Sequence, residues 1–76
     1  MEEHLGPYTL HFIAHEMPDG TWRSFITIDT FDESAHDFRR LVEKQPIGVS
    51  GFRSRLAAIE AARQAGNRMV EDWQRQ

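Results

Sequence analysis

From Tyr8 to His15 the chain alternates Tyr8, Leu10, Phe12 and Ala14 with Thr9, His11, Ile13 and His15, the period of a half-buried strand. A second alternation runs from Trp22 to Thr30. Between them stands Met17-Pro18-Asp19-Gly20-Thr21, in which Pro18 presets its own φ, Asp19 suits the next turn position and Gly20 can take the left-handed conformation that closes a short hairpin loop. A loop of Pro18 to Gly20 pairs Met17 with Thr21, and therefore Phe12 with Ile26, Leu10 with Ile28 and Ile13 with Phe25. In that register Tyr8, Leu10, Phe12, Ala14, Ile26 and Ile28 share one face. A slip of one residue would scatter them over both.

The C-terminal stretch from Arg55 to about Arg75 has a different period. Ala58, Ile59, Ala62, Ala65, Gly66, Met69, Val70 and Trp73 recur every three or four residues, the stripe of an amphipathic helix. Ser54 stands where an N-cap hydroxyl accepts from the first free backbone amides. The small residues along the stripe let the helix axis lie close to a sheet. At Gly66, which costs roughly 1 kcal/mol of helix propensity relative to alanine, such closeness is the expected compensation.

Between hairpin and helix, Phe31, Ala35, Phe38 and Val42 fit a helical spacing while His36, Phe38, Arg40 and Val42 fit a strand. A hairpin alone is a narrow platform for a long helix, which favours a third strand over Asp37 to Lys44. Asp32 to Ala35 then form the second turn, and Pro46, Gly48 and Gly51 make the following stretch a loop. The expected fold is α+β, two-layer: a three-stranded antiparallel sheet covered by one long C-terminal helix. Its 76 residues make a single domain, with residues 1–6 as a disordered tail.

With 39% hydrophobic residues and a net charge of −3, the chain is too apolar and too weakly charged for a disordered class. It has no cysteine, hence neither a disulfide nor a thiolate metal site. The start Met1-Glu2-Glu3 lacks the basic and apolar regions of a signal peptide, and no apolar run is long enough for a membrane, so a cytoplasmic location is expected.

The order of elements resembles small bacterial domains with a three-stranded meander and a covering helix, the HicB-like antitoxin domains. Tyr8 and Leu10 in the first strand, Asp19-Gly20-Thr21-Trp22 entering the second, and Gly51-Phe52-Arg53-Ser54 leading into Leu56-Ala57-Ala58-Ile59-Glu60-Ala61-Ala62 carry the likeness. It implies a module that neutralises a partner protein. The alanine-rich helix after three strands is also similar to the double-stranded-RNA-binding fold, which implies phosphate contacts near the helix start, where this chain offers Arg53 and Arg55.

The sharpest anomaly lies on the hairpin face turned away from the helix. Ile13 and Phe25 are cross-strand neighbours there, flanked by His11, His15, Arg23 and Thr27. An apolar centre with a basic rim on a face that should be polar is a candidate protein-binding or self-association patch. The alternative from another class is RNA binding through Arg39, Arg40, Arg53 and Arg55, should the third strand bring them together, with sheet aromatics stacking on bases. His11 and His15 are four apart on a strand, about 13 Å by strand rise, too far to share one ion unaided. Asp29, Asp32 and Glu33 read as solvated strand-end residues. With no nucleophile motif and no phosphate-binding loop, the chain reads as a binding module, not an enzyme, with no cofactor.

Overall fold

The computed structural model describes residues 1–75, with the side chains of residues 49 and 50 outside the description. Four strands, β1 (Glu2–Leu5), β2 (Tyr8–Glu16), β3 (Trp22–Asp32) and β4 (Asp37–Phe52), precede one helix, α1 (Arg55–Gln74). The strands form one antiparallel meander in the order β1-β2-β3-β4. No helix among the described residues is long and apolar enough to cross a membrane.

The central hairpin has the register its alternation requires: Leu10 opposite Ile28, Phe12 opposite Ile26, Ile13 opposite Phe25. Its loop closes with Gly20 donating to the Met17 carbonyl at 2.9 Å and Met17 to the Thr21 carbonyl at 2.8 Å. Gly20 has φ 87°, the left-handed conformation that makes glycine the fitting residue there. Asp19 Oδ1 accepts from the Thr21 amide at 3.0 Å and the Thr21 hydroxyl at 2.6 Å. These bonds hold its carboxyl below the usual carboxylate range, the hydroxyl contributing most.

Leu10, Phe12, Ile26 and Ile28 meet Ile59, Ala62 and Val70 of α1 in the core. Ser54 caps the helix, its Oγ accepting from the Ala57 amide at 3.1 Å. Across the interface the fully buried Ser24 donates its hydroxyl to the Ala58 carbonyl at 2.6 Å, so a polar side chain in the core is satisfied by the helix it faces. Gly66 is where helix and sheet come closest: a Cβ there would lie 2.5 Å from Ile26 Cδ1 and 2.7 Å from Leu10 Cδ2. At the far end Trp73 packs edge-on against Tyr8, ring centroids 5.3 Å apart.

Two expectations are corrected. Residues 1–6, expected as a disordered tail, contain β1, which pairs Glu2 with His11 and Leu5 with Tyr8. The alternation of so short a segment is too brief to announce a strand. Pairing with β2 and the packing of Leu5 against the core supply what local sequence does not. The sheet is therefore four-stranded, not three-stranded.

The third predicted strand also runs well past Lys44, to Phe52, and the stretch expected as a loop is strand. β4 is an edge strand and needs only one row of its backbone groups for pairing, so Pro46 is tolerated in it. Its 16 residues lie against the 11 of β3, with register shifts between Trp22 and Ser24, Ile26 and Ile28, and Ile28 and Asp29. Each shift inserts extra residues into β4, as bulges do.

Candidate functional site

The sheet has one face covered by α1 and one face without a covering element. The uncovered face is built from the odd-numbered residues of β2 and β3. His11 lies opposite Thr27, Ile13 opposite Phe25 and His15 opposite Arg23, so the six residues singled out in the sequence form three consecutive cross-strand pairs on one surface. Ile13 and Phe25 are half-buried, and His15 and Arg23 are exposed. Thr27 departs from expectation: at 5% exposure it underlies the patch and presents no contact surface of its own.

Other elements add residues to this face that the alternation could not assign. Lys44 of β4 places its ammonium 4.7 Å from the Phe25 ring centroid, a cation–π contact. Arg40 of β4 pairs with the Asp29 carboxylate of β3. His11 stands between two acids, Nε2 3.2 Å from Asp29 Oδ2 and Nδ1 3.4 Å from Glu2 Oε2. Glu2 reaches His11 because β1 is a strand. The result is a band of polar and charged side chains, Glu2, His11, Asp29 and Arg40, each within pairing distance of the next, running across all four strands beside the apolar pair. Among the described residues no group of three or more His, Asp or Glu side chains is placed to hold a metal ion.

The bulges of β4 explain why Arg40 and Lys44 escape a period-two reading. Val42 pairs with the inward-facing Ile28, while Arg40, two residues earlier, pairs with the outward-facing Asp29. In a regular strand the two would share a face. Beside them lies an open hollow of about 550 Å³, lined among others by Glu2, His11, Ile13, Thr27, Arg40 and Lys44.

Farther along the same face lies a second apolar pair. Phe31 and Phe38 are opposite each other on β3 and β4 and pack edge-on, centroids 5.4 Å apart. Both are exposed, at 45% and 60%. Phe31 shares parity with Phe25, Thr27 and Asp29, and Phe38 is its cross-strand partner, which places both on the uncovered face. Beyond them is the acidic turn of Asp32, Glu33 and Asp37. Asp32 Oδ1 accepts from the Ser34 hydroxyl and amide at 2.6 and 3.0 Å, which depresses its carboxyl pKa, the hydroxyl contributing most.

The four arginines of the nucleic-acid alternative do not converge. Arg39 and Arg40 lie opposite Thr30 and Asp29, whereas Arg53 follows Phe52, which lies opposite Trp22. Eight residues of β3 separate these levels, about 26 Å at strand rise. Arg55 begins α1 at the Arg53 end, and Arg40 is already neutralised by Asp29. Comparison with protein-family models, curated proteins and solved structures returns no match.

Proposed function

We propose that the chain is a protein-recognition module that works through the sheet face opposite α1, centred on Ile13 and Phe25. What supports this reading is one observation: a cross-strand apolar pair lies half-exposed on a sheet face that no element covers, beside a hollow and a rim of charge. Interfaces concentrate apolar and aromatic side chains at their centre and leave polar groups at the rim. The polar band adds register, since a partner must match its fixed donors and acceptors, the Asp29 and Arg40 pair among them. The HicB likeness adds a concrete form, in which the partner is a protein that the module neutralises.

The test compares the tagged full chain with its Phe25→Ser variant as baits in a cytoplasmic extract, at low and at high salt, identifying protein and RNA in each eluate. The expected result is a protein partner that survives high salt, because apolar contact is little screened, and that the variant loses while its circular dichroism is unchanged. RNA recovered at low salt alone, from both baits, overturns the reading, because phosphate-driven binding falls steeply with salt.

A further inference from the structure

The hollow beside the Ile13 and Phe25 pair is lined by residues of all four strands, and their hydrogen-bonding capacity is unevenly used. Thr27 forms its floor. At 5% exposure it offers a flat partner no surface, yet it lines the hollow, and its hydroxyl is not sealed from solvent. Among the described residues that hydroxyl has no hydrogen-bond partner. Hydroxyls of buried residues are ordinarily bonded, so one left open toward a hollow is a place for a group from outside.

Two cations stand beside it. The interval between the pairs Ile28 with Val42 and Ile26 with Gln45 sets two residues of β4, Glu43 and Lys44, against the single Thr27, and a bulge of this kind re-aims side chains. Lys44 is turned over the Phe25 ring, with no carboxylate within ion-pair distance among the described residues. Arg40 lies opposite Asp29, one same-face position along β3 from Thr27, about 7 Å at strand rise. Its Nε is bound to Asp29, which balances its charge. Its two Nη groups have no hydrogen-bond partner among the described residues. Both ring nitrogens of His11 already face carboxylates. Glu2 faces the rings of His4 and His11 and belongs to β1, three strand spacings or about 14 Å from β4 in the backbone. The β4 side of the hollow therefore offers a hydroxyl, a guanidinium edge and an ammonium, with one positive charge, that of Lys44, left over.

A single carboxylate suits these three groups. The Nη pair is a flat fork that fits two carboxylate oxygens, and one surplus positive charge matches one negative charge, not the near-dianion of a phosphate. The hollow is open, so it accepts a side chain presented by another molecule, and Ile13 and Phe25 give that side chain's neighbour an apolar seat. Resting on the recognition reading above, we infer that the partner seats an aspartate or glutamate side chain in this hollow, against Thr27, Arg40 and Lys44, with an apolar residue beside it on Ile13 and Phe25.

NMR titration of the isotope-labelled full chain tests this, with a blocked dipeptide of phenylalanine and glutamate as probe and the same dipeptide carrying glutamine as control. The glutamate probe is expected to saturate with a Kd of about 1–10 mM, to shift the Thr27 and Lys44 amides and the Arg40 Nε–H most, and to bind at least about threefold more tightly than the control. Lys44→Gln and Thr27→Val are each expected to remove most of that preference. Thr27→Val is also expected to keep or raise Tm, since a hydroxyl without a partner gives up no bond when a methyl replaces it. Equal affinity for the two dipeptides overturns the inference, as does a preference that both variants retain, or a Thr27→Val Tm lowered by more than about 2 °C, which would place the hydroxyl in a bond within the chain. Tighter binding of free 3-phenylpropionate than of the glutamate probe gives the hollow to a small acid and overturns the assignment to a partner's side chain. If a protein is captured through Phe25 equally by wild type and by Lys44→Gln, recognition by this face stands and the seated carboxylate falls.

Discussion

Phe12 and Phe25 belong to adjacent cross-strand pairs, Phe12 with Ile26 and Ile13 with Phe25, yet the register puts them on opposite faces. Replacing each by alanine therefore tests the whole assignment of faces. Phe12 is 2% exposed in the core, and truncating a buried phenylalanine costs about 3–5 kcal/mol through lost transfer energy and the cavity left behind. Phe25 loses a cross-strand contact of about 0.2–1 kcal/mol and a surface cation–π contact of about 0.5–1 kcal/mol, for a total of roughly 1–2 kcal/mol. At about 0.05–0.15 kcal/mol per residue, a chain of 76 residues has roughly 4–11 kcal/mol of stability in all. Phe12→Ala should thus remove a large share of it or unfold the protein. Phe25→Ala should lower Tm by about 4–8 °C per kcal/mol lost and leave a cooperative transition. Urea denaturation followed by Trp22 and Trp73 fluorescence and by circular dichroism provides the assay, at low protein concentration so that association does not add to the loss. Equal costs, or a larger cost at Phe25, would mean that β2 and β3 are paired one residue out, and the proposed role of the uncovered face would go with them.

Three further outcomes are expected. Gly66→Val should destabilise by about 2 kcal/mol or more in the same assay, because its branches enter space where even a Cβ would lie 2.5 Å from Ile26 Cδ1 and 2.7 Å from Leu10 Cδ2, and a net stabilisation would show that α1 stands off the sheet. Deleting residues 1–6 should cost about 2 kcal/mol through lost Leu5 burial and lost pairing with β2, and hydrogen exchange at Leu10 and Phe12, whose amides face β1, should accelerate; unchanged exchange would remove β1. Asp19 and Asp32 have depressed carboxyl pKa values in the folded chain, so what they contribute to stability is present above the ordinary aspartate value of 3.8 and is lost as pH falls through their lower folded values. Asp19→Asn with Asp32→Asn should flatten the acid limb of a urea-midpoint-against-pH curve, and an identical limb would contradict the two turn assignments.

How much of this was legible depends on where the determining forces act. The central hairpin could be read because strand alternation, turn chemistry and face agreement are local and point the same way, from Tyr8 through Gly20 to Thr30. The helix could be read for the same reason, with Ser54 marking its start and a small-residue stripe marking its buried side. From those two elements alone, the pairing of Ile13 with Phe25 on the face away from the helix followed, and with it the six residues first singled out there. Thr27 was placed on the correct face but is covered, since alternation reports orientation and not the size of the neighbours.

What the tertiary structure alone decided lies at the edges of the sheet. Four residues of β1 have no pattern of their own, and they become a strand because β2 offers a free edge and the core a place for Leu5. In β4, bulges alter the count between residue number and face, so Arg40, Lys44 and Phe38 reach the uncovered face at positions no constant period assigns. The separation of Arg39 and Arg40 from Arg53 and Arg55 follows from that strand's full length. Amino-acid order determines which segments are strand or helix where hydrophobic period and turn chemistry agree within a few residues. It does not reveal by itself where an edge strand bulges, because that is decided by side chains on a neighbouring strand distant in sequence, and the polar band and the second aromatic pair depend on that decision.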